Sequence, residues 1–247
     1  MHGSVVIDFS PGNVLPYREG YAVVVIDVIR ATTTAITAVE MGRECFPVSS
    51  LEAAWRLAAR LDDPLMVGEL GGEMPDGFHL NNSPAELAMR TDISRPMILL
   101  STTGSKLICE AENSDAAYLA CLRNYTSTAL ELAGRYSKIA LIGASSLGEF
   151  REEDQICCAW IAEALVKGGY RPQDEKTSEI IERWRRATLE AFSGSNSVAY
   201  LRKSGQLKDL EFIITHVDDL DDAYLVQNDR IGAVRAGKKR EFAPTAT

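Results

Sequence analysis

The chain has 247 residues, of which 46% are hydrophobic, and a formal net charge of -9 from 26 Lys and Arg against 35 Asp and Glu. That length can bury a substantial core as one large α/β domain, with a C-terminal subregion from about residue 170 as the option for a smaller appendage. An acidic balance with scattered basic residues argues against an extended nucleic-acid surface, though not against a local basic pocket. No N-terminal apolar run has the form of a signal peptide, and no stretch approaches the ~20 apolar residues of a membrane span. The expectation is a cytoplasmic protein with no membrane or nucleic-acid partner; a homodimer stays open. Cys45, Cys109, Cys121, Cys157 and Cys158 are odd in number and lack zinc-ligand spacing, which reads as reduced core thiols.

In chain order, Val23 to Ile26 is an unalternating β-branched run, which suits a strand buried on both faces, and Ala35 to Gly42 suits the following helix. Asp27, Arg30 and Thr32 to Thr34 then fall between the strand's carboxyl end and the helix's amino end, where free N–H groups attract anions. An ordinary turn with Thr33 or Thr34 as N-cap is the plainer alternative. Glu44 to Val48 reads as a second strand, and Ser49 with Glu52 as a capping box for a helix over Leu51 to Leu61. Pro64 to Val67 is a third strand, ending in Gly68-Glu69-Leu70-Gly71-Gly72, and an irregular segment runs to Asn82. Ser83-Pro84-Ala85-Glu86 signals a helix start, with the helix reaching Arg90.

Strands over Pro96 to Leu100, Ala116 to Leu122 and Lys138 to Ile142 end respectively in Ser101-Thr102-Thr103-Gly104-Ser105, Arg123-Asn124 and a loop from Gly143 to Gly148. A helix from Glu152 to Lys167 stops at Gly168-Gly169. Beyond it come a predicted helix from Glu175 to Phe192, which either caps the crevice or packs on one sheet face, and a helix over Ser197 to Lys203. Leu210 to Val217 reads as a strand, Asp218 to Asp222 as a solvated acidic turn, Tyr224 to Val226 as a final strand, and the last ten residues as frayed. The β/α alternation implies a three-layer α/β/α fold with a largely parallel or mixed central sheet.

In a parallel-type sheet the polar strand ends share one edge, which would gather Asp27, Arg30, Glu69, Thr102, Thr103, Arg123 and the glycine and serine loop that includes Ser145. Two carboxylates, two arginines, hydroxyls and glycine-rich turns suit a magnesium-bound phosphorylated acid, because Mg²⁺ is held by one or two carboxylates plus substrate phosphate. The arginines would match oxyanions through forked donors. The plainer alternative for each arginine is a surface ion pair.

The segments DVIRATTT, GELGG followed by GFHLNNSPAE, STTGS, and GEFREED before a Cys-containing helix resemble the 2-phosphosulfolactate phosphatases, the ComB family of coenzyme M biosynthesis. The resemblance runs from about Val23 to Leu165, with weaker similarity around Ser197 to Gly205. It implies an α/β/α fold and Mg²⁺-dependent hydrolysis of a phosphate ester on a small sulfonated hydroxy acid. The matching positions are Asp27, Arg30, Thr32, Thr33, Glu69, Gly71, Gly72, Gly77, Phe78, Asn82, Ser83, Pro84, Thr102, Gly104, Gly148, Glu153 and Asp154. Asp27 and Glu69 are the first-choice metal ligands, with Asp154 third. Thr32, Thr33, Thr102 and loop amides would hold phosphate, and Arg30 and Arg123 the phosphate or the substrate's other acidic groups.

The chain departs from the family pattern at His79, usually aspartate, at Asn81, usually glycine, and at Thr103, usually asparagine. A Cys-Ala-Gly turn is replaced by Gly143-Ala144-Ser145. These changes leave a substrate-shifted enzyme, or a metabolite-binding relative without turnover, as alternatives. A serine hydrolase using Ser145 with His216 is a third, although the glycine spacing of a nucleophile elbow is not met.

Overall fold

The computed structural model describes residues 3–9, 14–144 and 151–235. Its strands are β1 (Ser4–Asp8), β2 (Ala22–Ile26), β3 (Cys45–Val48), β4 (Leu65–Gly68), β5 (Met97–Leu100), β6 (Ala116–Ala120), β7 (Lys138–Gly143), β8 (Arg171–Pro172), β9 (Asp222–Gln227) and β10 (Arg230–Arg235). All belong to one sheet of order β4-β5-β3-β10-β9-β6-β2-β7-β1-β8. The helices are α1 (Ala31–Glu40), α2 (Leu51–Ala58), α3 (Pro84–Ala88), α4 (Gly104–Ala111), α5 (Tyr125–Leu132), α6 (Glu152–Lys167), α7 (Glu175–Trp184), α8 (Asn196–Lys203) and α9 (Leu207–Thr215).

The unalternating run in β2 is explained by its place inside the sheet. Successive side chains of a strand point to opposite faces. Val24 and Ile26 pack with Ile156, Ile161, Ile180 and Trp184 from α6 and α7, whereas Val23 and Val25 pack with Ile36 and Ile108 from α1 and α4. The three-layer expectation is met.

The sheet is mixed in a way that changes the single-edge expectation. β2, β6, β7, β1 and β8 form one parallel block, and β3, β5 and β4 another. Between them the β9–β10 hairpin makes three successive antiparallel pairings, so the two blocks run in opposite senses. Flat, they would present their carboxyl ends at opposite edges. Strand twist of roughly 20–25° per step turns them toward each other, and α4, entering from β5, packs against β2.

Four local expectations change. Leu210 to Val217 is not a strand: Leu207, Leu210 and Ile213 recur every three residues, and this spacing supports helix α9 over the β-branched tail. The segment from Glu175 to Phe192 breaks after Trp184, whose carbonyl accepts from the Trp160 indole and the Ala187 N–H, and a short 3-10 turn follows at Leu189–Phe192. The N-cap of α2 is Ser50, which accepts from the Ala53 N–H, and not Ser49. The acidic turn is docked, not merely solvated, with Asp218 accepting from Thr126 and Asp219 from Arg123. Strands β1, β8 and β10 add to those expected. The frayed last ten residues lie outside the described residues. Among the described residues, no helix is long and apolar enough to cross a membrane.

Candidate active site

The turn after β2 is built by threonines acting on backbone. The Thr32 hydroxyl accepts from the Asp27 N–H at 3.0 Å and lies 2.8 Å from both the Asp27 and Ala120 carbonyls. Thr33 donates to the Val28 carbonyl at 2.8 Å. Both hydroxyls, expected to hold phosphate, are buried and shape the turn instead. Their work fixes Asp27, whose carboxylate accepts the Ala31 N–H at the start of α1. Gly104 closes over it from the other block: a Cβ there would overlap Asp27 Oδ2 and the Ala31 Cβ. Gly104→Ala is therefore expected to cost about 1–3 kcal/mol by overpacking and to lower turnover. Thermal unfolding and phosphate release measure the two effects separately.

Asp154, in the first turn of α6, accepts the Val28 N–H at 2.7 Å and so is tied to the same turn. Asp27, Glu153 and Asp154 are all buried. Burial raises the pKa of Asp27 and of Asp154, and each is raised further by the negative charge of nearby carboxylates. Burial also raises Glu153, although Ser195 and Ser197 bond its carboxylate, and its Oε2 lacks a hydrogen-bond partner. Without a proton or a cation these carboxylates repel one another.

Glu69 sits at the end of β4 with both oxygens engaged. Oε1 accepts the Thr102 N–H at 2.8 Å, while Oε2 accepts the Gly72 N–H and the Thr102 hydroxyl at 2.7 Å each. The Thr102 hydroxyl in turn accepts from the Gly71 N–H at 2.7 Å. Glu69 thus holds the glycine turn against the β5 end, where Gly71 and Gly72 both adopt positive φ. Tyr200 on α8 donates to the Gly72 carbonyl.

Asp27, Arg30, Glu69, Gly71, Gly72, Asn82, Thr102, Thr103 and Asp154 line a single cavity of about 400 Å³. The two oppositely directed blocks do converge. Thr32, Thr33, Ser83 and Gly104 do not line it, and Ser145 and Gly148 lie outside the described residues. The cavity also takes Ala144, Arg151 and, from α8, Asn196, Ser197 and Tyr200. The α8 residues carry no motif in the sequence, although the weak family similarity near Ser197 touched them. It is α8 that caps the crevice, while α7 packs on β1 and α6.

The arginines differ from expectation. Arg30 donates to Asp209 Oδ2 at 2.6 Å, to Gln206 Oε1 at 2.7 Å and to Asn81 Oδ1 at 3.3 Å, in a buried ion pair. Asp209 also accepts from the Ser83 hydroxyl at 2.6 Å, so Ser83 serves this network. Arg123 forks onto Asp219 at 2.7 and 3.1 Å, donates to Thr37 at 3.1 Å and lies over the Phe212 ring, outside the cavity lining. Its strand-end position faces the hairpin side of the sheet, hence its acidic partner.

His216 caps α9, stacked on Phe212 with Nδ1 2.8 Å from the Phe212 carbonyl, and does not line the cavity. That removes the base proposed for a serine hydrolase from the site. Of the departures from the family pattern, His79 accepts the Met66 N–H at 2.9 Å outside the cavity lining, Asn81 braces Arg30, and Thr103 lines the cavity. At Gly143 the space of a Cβ is filled by the Phe9 ring.

Among the described residues no three His, Cys, Asp or Glu side chains gather as a metal cage, and Glu69, expected as a ligand, is bonded to Thr102 and Gly72. Asp27 and Asp154 remain as a mutually repelling buried pair of hard oxygen donors. Two carboxylates with substrate phosphate completing the shell is a Mg²⁺-type arrangement, so these residues fit the ion.

A family model described as 2-phosphosulpholactate phosphatase matches residues 11–228. The chain is similar to a probable 2-phosphosulfolactate phosphatase of Symbiobacterium thermophilum, 33% identical over 215 residues, covering 84% of this chain and 85% of the relative. Proteins with the same description from Thermus thermophilus and Clostridium perfringens are 31% identical over 212 residues and 26% over 228. These alignments cover 83% and 90% of this chain and 87% and 92% of those relatives. The chain belongs to the 2-phosphosulpholactate phosphatase family, a family of phosphoric monoester hydrolases.

Proposed function

We propose that this chain hydrolyses the phosphate monoester of a small anionic hydroxy acid of the 2-phosphosulfolactate kind, with Mg²⁺ as cofactor and in the cytoplasm. The observation that carries it is the buried Asp27 and Asp154 pair at the mouth of β2 and the start of α6, inside a cavity of small-molecule size. All five cysteines are free thiols, which supports a reducing compartment.

Asp27 and Asp154 would hold Mg²⁺, which when bound neutralises phosphoryl charge and polarises a phosphoryl oxygen. The chain's own part is positioning. The Thr32 and Thr33 bonds fix the Asp27 turn, Glu69 fixes the Gly71-Gly72 turn, and Arg30 presents a guanidinium anchored by Asp209. Asn82 Oδ1 is buried without a partner at the cavity wall, where a substrate hydroxyl or a water would satisfy it. The net reaction adds water across the ester P–O bond: the phosphoryl group gains the hydroxyl and leaves as inorganic phosphate, and the ester oxygen takes the proton to give the hydroxy acid.

A phosphate-release screen of small phosphorylated acids, with and without Mg²⁺, tests this. Chelation is expected to stop release and Mg²⁺ to restore it. Undiminished turnover by metal-free enzyme contradicts the cofactor, and saturable binding without any release leaves a binding protein.

A further inference from the structure

Resting on the phosphatase reading, we propose that Arg151 is the specificity-determining residue that takes the substrate's second acidic group, its carboxylate or sulfonate. The charges lining the cavity leave this work to it. A phosphorylated hydroxy acid brings two anionic ends into one cavity, and the phosphoryl end belongs with the cation held by Asp27 and Asp154. The other end would meet Asp27, Glu69 and Asp154 as like charges if it shared that place. It needs a cation elsewhere on the wall.

Three arginines were open to that role. Arg123 is outside the cavity lining and forked onto Asp219. Arg30 lines the cavity, but its charge is already matched at 2.6 Å by the buried Asp209 and its donors are shared with Gln206 and Asn81. Arg151 lines the cavity, is partly exposed, and forms no ion pair among the described residues. Its charge favours ionised Glu153 and Asp154 without a direct bridge to either.

The neighbouring wall suits an anion. α8 brings Asn196, Ser197 and Tyr200, all uncharged, with the Ser197 hydroxyl bonded to Glu153 behind it and the Tyr200 hydroxyl to the Gly72 carbonyl. A cavity of about 400 Å³ also exceeds what a phosphoryl group fills, since a water occupies roughly 30 Å³. A guanidinium fork matches the paired oxygens of a carboxylate or sulfonate.

The test uses two monoesters that differ in one group: lactate 2-phosphate, with a carboxylate, and isopropyl phosphate, with a methyl in its place. For Arg151→Ala and Arg151→Gln the ratio of kcat/KM between them is expected to fall about 10- to 150-fold, the range for a lost charged contact. Arg151→Lys should recover part of it, and the loss should lie in KM more than in kcat. If Arg151 only offsets Glu153 and Asp154, both substrates decline together, the pH profile moves, and the unchanged ratio overturns the proposal.

Calorimetric titration with sulfolactate, which has no phosphoryl group, reads the same contact without turnover. Weaker binding to Arg151→Ala than to the unsubstituted protein supports the proposal even if no ester is hydrolysed, in which case only the phosphatase reading fails. Equal affinities overturn it.

Discussion

Asp27→Asn is expected to lower phosphate release by about 10²- to 10⁴-fold, the scale on which an essential carboxylate contributes, while the fold persists. The side chain keeps its shape, and its removal takes charge out of a buried group of acids instead of volume out of the core. The stability effect has a definite sign. The native pKa of Asp27 is raised, so its contribution to stability is fully present below the unfolded value of about 4 and is lost as pH rises through the raised native value. Asparagine does not titrate. In metal-free buffer the variant should therefore gain stability relative to the unsubstituted protein across that window, and saturating Mg²⁺ should narrow the gap by binding the native carboxylates. Thermal unfolding from pH 4 to 8 for both proteins, with and without Mg²⁺, measures it. A uniform loss of stability at every pH would show that Asp27 serves chiefly to accept the Ala31 N–H, and unchanged turnover would remove it from the mechanism.

What could be seen in the sequence follows how local each cause is. The β2 run and the Ser83 cap are set by neighbours a few residues away, and the structure keeps both, whereas α1 begins at Ala31 with Arg30 as its N-cap, so Thr32 to Thr34, expected ahead of the helix, lie inside its first turn. The phosphate role assigned to Thr32 and Thr33 was a matter of chemistry without direction: a hydroxyl at a strand end can face a ligand or the backbone, and only the register of Ala120 and Val28 decides. Glu69 likewise fell at the expected strand end, but its bonds depend on the glycine turn and on Thr102, 33 residues away. Asp209 was passed over because the segment after it was read as a strand. Read as a helix, Asp209 and Ile213 are four apart and share the buried face, which marks an acid in need of a partner. Arg151 and the α8 residues fall within segments that resemble the family but were given no role, because their own chemistry there is that of a solvated helix start. Their role exists only where distant segments meet.

Arg30→Ala is the variant for which the structure changes the expectation most. As an open anion clamp, Arg30 would affect catalysis and leave stability alone. Its guanidinium instead forms a buried pair with Asp209, with side-chain exposures of 4% and 2%, and that carboxylate also receives the Ser83 hydroxyl and the Ala85 N–H. Removing one partner of such a pair leaves an uncompensated buried charge and costs about 3–5 kcal/mol. At about 2–4 °C per kcal/mol for a chain of this size, the melting temperature should fall by roughly 6–20 °C. Asp209→Ala should be comparably damaging, and the double variant should be less so than the sum of the two, because neither charge is then stranded. Turnover should fall as well, since Arg30 lines the cavity and α9 is fastened to the Asp27 turn through it. Lysine at position 30 should keep part of the stability but lose the bond to Asn81, which comes from the second guanidinium nitrogen and not from the one that meets Asp209 and Gln206. A melting temperature unmoved in Arg30→Ala, with kcat/KM reduced, would instead show that the charge of Arg30 is spent on substrate and that Asp209 only orients it.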